Sequence, residues 1–209
     1  SIHFGKIELL LSCIPSLPIC YITKSKEQPI LDIASSIISN LRKNLMNAVL
    51  TDIEQLGFDR ILAFHFSRIN ELGEIKKYKI YFECIGKLSN VIFTDEENKI
   101  LDTLKKFHIS ENFDRTLFLG ETYTRPKFDK KILPVDITEN DFNRFLENKI
   151  PLANEIEGVG KFLNNIKSFK DFKNILNSDV KAKIYFKDKK IKRSTITLSF
   201  GWVARDIYL

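Results

Sequence analysis

Residues 48–107 read AVLTDIEQLGFDRILAFHFSRINELGEIKKYKIYFECIGKLSNVIFTDEENKILDTLKKF. Four runs in this stretch, Ala48 to Leu56, Arg60 to Ser67, Lys77 to Ile85 and Asn90 to Thr94, alternate with the period of two that β-strands impose. Gly57, the Asn70 to Gly73 stretch and Gly86 to Ser89 separate them, and glycine and asparagine are turn residues. The polar run Thr94-Asp95-Glu96-Glu97-Asn98 marks a hairpin tip, after which Lys99 to Phe107 predicts a returning strand. Strands joined this closely form an antiparallel meander, and their spacing predicts a sheet folded into a sandwich.

Upstream, Ile7 to Ser12 and Ile19 to Thr23 predict two short strands, with Pro15 and Pro18 marking the turn. The period then changes. Ile30, Ile33, Ala34, Ile37, Ile38, Leu41 and Leu45 follow three-four spacing and predict a helix over 30–46. Pro29 suits its first turn, and Arg42 and Lys43 fall in its last turn, where cations favour the dipole. A helix ahead of an antiparallel meander makes the class α+β.

Downstream, residues 108–137 show no period and hold Gly120, Pro126 and Pro134. A loop that long in a compact domain is usually functional or mobile. Thr138-Glu139-Asn140-Asp141 resembles a capping box with Asp in place of Glu, and Phe142, Phe145 and Leu146 form the stripe of the helix it opens. Short helices are predicted over Leu152 to Ile156, Val159 to Lys167 and Ser168 to Asn177. A lysine-rich hairpin follows, Ala182 to Phe186 and Ile191 to Phe200, turning at Asp188. These elements predict a β-rich domain over 1–150, a helical region with a basic hairpin over 151–193, and an unassigned tail over 194–209.

With 44% hydrophobic residues, 209 residues suffice for one large domain, or for a main domain with a small appendage. The formal charge is +6 and the pI about 9.1. Between Lys161 and Arg193 stand eleven Lys and Arg against three Asp, a surplus larger than that of the whole chain. A basic end on a near-neutral body points to a polyanion (RNA, DNA or a membrane surface), or else to a lysine-rich solvated face. Cys13, Cys20 and Cys84 are odd in number, form no CxxC pair and share no ligand spacing with His3, His65 or His108. They read as buried thiols in a reducing, cytoplasmic compartment, without zinc. No run approaches the ~18 apolar residues of a membrane span, and no signal peptide stands at residue 1. The chain opens with Ser1 and enters a strand at once, so a trimmed N-terminus is expected.

Two segments suggest chemistry. Ile156-Glu157-Gly158-Val159-Gly160-Lys161 joins two predicted helices with the pattern of a helix-hairpin-helix. Glycines there let backbone N–H groups approach a phosphate, and Lys161 adds charge. A tight helix–helix turn has the same pattern. In Gln55-Leu56-Gly57-Phe58-Asp59-Arg60-Ile61-Leu62 an Asp-Arg pair stands at a strand entrance just after glycine. Adjacent strand residues point to opposite faces, so a simple bridge between the two is not the natural outcome. No paired carboxylates, metal triad or Ser/His constellation is apparent, so catalysis is not expected.

Three blocks carry a resemblance: Leu41-Arg42-Lys43-Asn44-Leu45; Gln55 to Leu62; and Glu83-Cys84-Ile85-Gly86-Lys87-Leu88-Ser89-Asn90-Val91-Ile92-Phe93 with Asp95. In this order they resemble the N-terminal region of the NFACT family of ribosome quality-control proteins, whose bacterial members are often called fibronectin-binding proteins. Leu119-Gly120, Tyr123 and Pro126 match a later block, and Arg115 falls at its arginine. The resemblance covers residues 5–190. It departs at Leu119, where the family has proline, and at Pro18-Ile19, where the family has an arginine. The family's opening segment, with a functional aspartate, and its coiled-coil and C-terminal parts have no counterpart, so a fragment is expected.

The resemblance implies a glycosylase-like N-terminal sandwich followed by a helix-hairpin-helix domain. It implies a factor that binds the large ribosomal subunit carrying a stalled nascent chain and recruits tRNA, in bacteria alanyl-tRNA for tailing. The ribosome does the chemistry, and no cofactor is implied. The family's Asp-Arg pair, required for tRNA engagement, maps onto Asp59 and Arg60. Arg60 suits a phosphate or a guanine edge, and Asp59 a base amine or that arginine's orientation. Lys87 and Asn90 suit a phosphate and a base edge. Arg42 and Lys43 suit the same face, although helix capping explains them equally. Gly158, Gly160 and Lys161 are the expected phosphate contacts of the helix-hairpin-helix. Two other readings stand beside this one: a surface adhesin that binds fibronectin, and a nucleic-acid enzyme inferred from the glycosylase-like fold.

Overall fold

A computed structural model describes residues 2–4, 7–15, 17–23, 35–106, 115–126, 131–177, 181–187 and 190–197. The chain divides into two compact units, one of residues 1–56 and 61–127, the other of residues 57–60 and 128–209.

In the first unit the meander forms as the period predicts. Strands β1 (Ile2–Phe4), β2 (Ile7–Ile14) and β3 (Leu17–Thr23) make a three-stranded antiparallel sheet. After helix α1 (Ser36–Leu45), strands β4 (Val49–Gln55), β5 (Ile61–Ile69), β6 (Ile75–Glu83), β7 (Asn90–Asp95) and β8 (Ile100–Thr103) make a five-stranded antiparallel sheet in chain order. The register Ile61↔Glu83↔Asn90 and Phe64↔Ile80↔Phe93 sorts the side chains to two faces. On one face Phe66 stacks on Phe4, the Cys84 thiol donates to the Pro18 carbonyl (3.3 Å), and Lys105 Nζ donates to the Cys13 carbonyl (3.1 Å). These contacts join the two sheets as a sandwich. On the other face Ala63, Tyr81 and Ile92 pack with Leu117 and Tyr123 of the irregular segment. Both faces are covered, so β6 ends in a continuously buried run, Ile80 to Cys84, rather than an alternating one.

Helix α1 is described only from Ser36; the start of the predicted helix, and Pro29, lie outside the described residues. Of its apolar residues only Ile37 is buried. Polar contacts also tie it to the sheet. Asn40 and Ser36 donate to the Asp102 carboxylate (2.7 and 3.4 Å), and Tyr78 donates to Asn44 (3.3 Å). β8 stops at Thr103, short of the predicted Phe107, where Lys105 turns back to bond Asn90. Residues 115–126 follow no helix or strand, but the fully buried Glu83 holds them. Arg115 donates to both its oxygens (2.8 and 2.5 Å) and Tyr123 donates to one (2.8 Å). Burial beside this carboxylate pushes the Tyr123 hydroxyl well above its ordinary pKa.

The second unit is built on a core of Ile137, Phe142, Phe145, Leu152, Ile156, Val159, Leu163 and Phe172. Helix α2 (Glu139–Glu147) starts at Thr138, whose hydroxyl accepts the Asp141 N–H and donates to the Asp141 carboxylate. Helix α4 (Phe169–Leu176) repeats this arrangement with Ser168 and Asp171. By its contacts this unit takes in the chain from residue 128 onward. The aperiodic stretch around Ile132 and Ile137 joins the second core, Ile132 forming a parallel bridge with Ile156.

The predicted helix over Val159 to Lys167 is a 3₁₀ turn at Lys161–Asn165, and α3 (Leu152–Glu155) is a single turn. The Gly158-Val159-Gly160 link thus joins a single α-helical turn to a 3₁₀ turn. Gly158 takes a left-handed φ of 72°, Gly160 is extended, and the Asn164 side chain accepts the Ala153 N–H. Strands β9 (Lys181–Lys187) and β10 (Lys190–Thr197) form the basic hairpin with a bulge between Ile191 and Arg193. Its turn at Asp188 and residues 198–209 lie outside the described residues.

Candidate nucleic-acid interface

The Asp-Arg pair lies in a four-residue hairpin loop, Gly57 to Arg60, closed by the Leu56 N–H on the Ile61 carbonyl (3.0 Å). Gly57 has φ 62°, a conformation that glycine adopts without strain. The loop groups with the second unit, because Phe58 packs against that unit's core and its N–H donates to Glu157 Oε1 (3.3 Å). Two segments about a hundred residues apart in sequence, Asp59-Arg60 and Glu157-Gly158, are thus neighbours.

Asp59 does not bridge to the Arg60 side chain. Its Oδ1 accepts the Arg60 backbone N–H (2.7 Å). Among the described residues the Arg60 guanidinium has no ion-pair or hydrogen-bond partner. Arg60 is partly exposed, and its guanidinium carries five N–H donors. Val159 is in the core, Gly158 and Gly160 are partly exposed beside this loop's anchor, and the Lys161 side chain lies outside the described residues.

The remaining predicted residues belong to the first unit, and they do not share one place there. Lys87 is exposed on a 3₁₀ turn, Gly86–Leu88, directly after the end of β6 that pairs with Ile61. Arg42 and Lys43 are exposed at the end of α1, where the Lys43 carbonyl accepts from Arg68 (2.6 Å). Arg68 is seven residues along β5 from Ile61, about 23 Å away. Asn90 has no solvent exposure. Its amide donates to the Lys105 carbonyl (2.9 Å) and accepts from the N–H groups of Lys105 (2.8 Å) and Val91 (2.9 Å). Instead of offering a base edge, it staples β7 to the chain after β8.

Phe58 and Glu157 were not singled out by sequence reasoning. A bulky apolar residue between glycine and aspartate in a turn was the available signal for the first; nothing marked the second. Among the described residues no group of three His, Cys, Asp or Glu side chains is placed to hold a metal ion, and no helix is long and apolar enough to cross a membrane.

Residues 3–193 match the family described as NFACT N-terminal and middle domains. The chain belongs to this family. Among NFACT relatives, the Rqc2 homolog RqcH of Bacillus subtilis is 38% identical over 141 residues, covering 66% of this chain and 24% of that protein. The archaeal Rqc2 homolog aRqcH of Methanocaldococcus jannaschii is 34% identical over 165 residues, 75% of this chain and 23% of that protein. The NFACT chain described here thus spans about a quarter of the length of the curated relatives it matches. The N-terminal part of the fibronectin/fibrinogen-binding protein from Streptococcus suis superposes with a TM-score of 0.72 at 25% identity, covering 96% of this chain and 78% of that one. The N-terminal domain of the fibronectin-binding protein PavA from Streptococcus pneumoniae gives 0.63 at 30% identity, with 84% and 70% covered.

Proposed function

We propose that this chain is a tRNA- and ribosome-binding part of a cytoplasmic quality-control factor. In this reading it positions tRNA, in bacteria alanyl-tRNA, on a large ribosomal subunit that carries a stalled chain. It binds and orients while the ribosome performs the chemistry. Family membership and the relatives named Rqc2 homologs support the general role. The observation that carries the RNA contact is the Asp59-Arg60 loop, which offers an unpartnered guanidinium among the described residues from a tip anchored at Phe58. The unit that holds this loop has seventeen Lys and Arg against twelve Asp and Glu, whereas the first unit is almost balanced, sixteen against fifteen. A polyanion is favoured by such a surplus. Lys87, Arg42, Lys43 and Lys161 are secondary phosphate contacts in this reading, with Gly158 and Gly160 allowing close backbone approach. Asn90 supports the fold beside Lys87.

The test is binding to purified bulk tRNA across a salt series, comparing wild type with an Asp59→Ala/Arg60→Ala double variant. Wild type is expected to bind with a steep salt slope and the folded variant to lose most of its affinity. Equal binding by both proteins, or binding by neither, overturns the assignment of the loop.

The solved relatives are called fibronectin-binding proteins, which favours a second reading, fibronectin capture by the same chain. Direct titration with fibronectin separates the two, because capture of that kind is expected to be indifferent to Asp59 and Arg60.

A further inference from the structure

We infer that Glu157 is a positioning residue for RNA binding: its carboxylate holds the hairpin tip that presents Asp59 and Arg60. The inference rests on the tRNA reading above and adds a residue which that reading does not contain.

One side of this contact is rigid. Ile156 is fully buried, and the Glu157 N–H donates to the Ile132 carbonyl (2.9 Å), while the Ile132 N–H donates to the Glu155 carbonyl (2.8 Å). The backbone that carries Glu157 is therefore fixed on both sides, before Gly158 reverses the chain. The other side is a tip four residues long that starts at a left-handed glycine and is closed at its base by the Leu56 N–H on the Ile61 carbonyl. Above that base, Phe58 supplies the attachment, through its ring on the core and its N–H on Glu157. Asp59 then passes the orientation on by taking the Arg60 N–H. One path from the core to Arg60 therefore runs through Glu157, Phe58 and Asp59.

Electrostatics and positioning predict opposite signs, which makes the inference testable. A carboxylate beside an RNA-binding arginine repels phosphate, so its removal strengthens binding if charge alone matters. If Glu157 positions the tip, its removal weakens binding although a negative charge has gone.

The experiment titrates bulk tRNA with the intact 209-residue chain as wild type, Glu157→Ala, Glu157→Gln, Glu157→Asp, Arg60→Ala and Arg60→Ala/Glu157→Ala, with urea midpoints to confirm folding. Glu157→Ala is expected to weaken binding about fivefold, the scale of one net hydrogen bond. Glu157→Asp, which keeps the charge but shortens the reach, is expected to weaken it similarly. Glu157→Gln keeps an acceptor oxygen and is expected to bind as wild type or more tightly. In the Arg60→Ala background, loss of Glu157 is expected to add nothing. Hydrogen exchange at the Phe58 amide should be slow in wild type and Glu157→Gln and fast in Glu157→Ala. Tighter or unchanged binding by Glu157→Ala, with Arg60→Ala still impaired, overturns the inference and leaves the function standing. If Arg60→Ala binds as wild type, the functional reading fails and the inference fails with it. The Phe58 exchange rate then reports only whether the latch exists.

Discussion

Arg115 donates to both carboxylate oxygens of Glu83, a residue with no solvent exposure at all. Tyr123 adds a third donor, and Arg115 also reaches the Thr124 carbonyl (2.6 Å). Removing one member leaves a buried charge without its counter-ion. Glu83→Ala and Arg115→Ala are each expected to destabilise the first unit by about 3–5 kcal/mol, read as a shift of the urea midpoint at constant slope. Tyr123→Phe keeps the packing, including the stack on Tyr81, and is expected to cost only about 1 kcal/mol.

Asn90 and Lys87 stand three residues apart and are expected to behave oppositely. Asn90→Ala leaves the Lys105 N–H without its acceptor, while the Lys105 carbonyl keeps the Thr103 hydroxyl, a loss of about 1–3 kcal/mol, with tRNA affinity per folded molecule unchanged. Lys87→Ala is expected to leave the urea midpoint unmoved and to lower the tRNA salt slope by about one. The two measurements separate an architectural residue from a surface contact.

Arg60→Lys isolates geometry from charge. Lysine keeps the charge but loses the planar fork. If Arg60 pairs with a phosphate or a guanine edge in two-pronged fashion, the salt slope stays near that of wild type while affinity falls several-fold. Equal affinity shows that only the charge was used.

Alkaline pH is expected to weaken the first unit. Burial pushes the Cys13 thiol from its ordinary 9.0 up to about 11, and the Cys20 thiol to about 12. Between pH 9 and 11 the unfolded thiols lose protons that the folded ones keep. The native state then holds more protons, and stability falls as pH rises. Below pH 9 the contribution is fully present. Denaturant midpoints between pH 8 and 11 should therefore decline for wild type and more gently for Cys13→Ala. Native thiols should also react slowly with an alkylating agent at pH 8, since the thiolate is the nucleophile.

The two caps of the second unit are independent tests of its helices. Thr138→Ala and Ser168→Ala each remove an acceptor for a first-turn N–H. Each is expected to cost about 1 kcal/mol, and the pair to add, as separated sites do.

The meander was legible because its strands alternate and glycines or asparagines fill its turns. The cap at Thr138 was legible because capping is local chemistry. Three features were not. The grouping of residues 128–137 with the second core was hidden because they have no period, and it rests on Ile132 and Ile137, which meet partners far along the chain. The Gly158-Val159-Gly160 spacing suits a helix-hairpin-helix and a tight turn equally, and the bond from Ala153 to Asn164 across it is long-range. Asn90 read as a surface contact because a polar residue in a loop motif ordinarily faces water, and its satisfaction by Lys105 is long-range. In the candidate site, Asp59 and Arg60 were visible as a pair, while Glu157, which holds their loop, was not.

The second unit is spliced from two pieces of chain, with Phe58 contributed by a loop that interrupts the sheet of the first. The two units therefore cannot be inherited or exchanged by one crossover. A fragment that begins at residue 128 lacks an aromatic ring from its core, and a fragment that ends at residue 127 carries that ring without the core it packs on. During synthesis the β4–β5 hairpin is made long before Ile156 and Glu157, so these contacts form only once those later residues have emerged. A relative that swaps one unit but keeps the other has to re-match Phe58 to a foreign core, so these two stretches are expected to change together as the protein diverges.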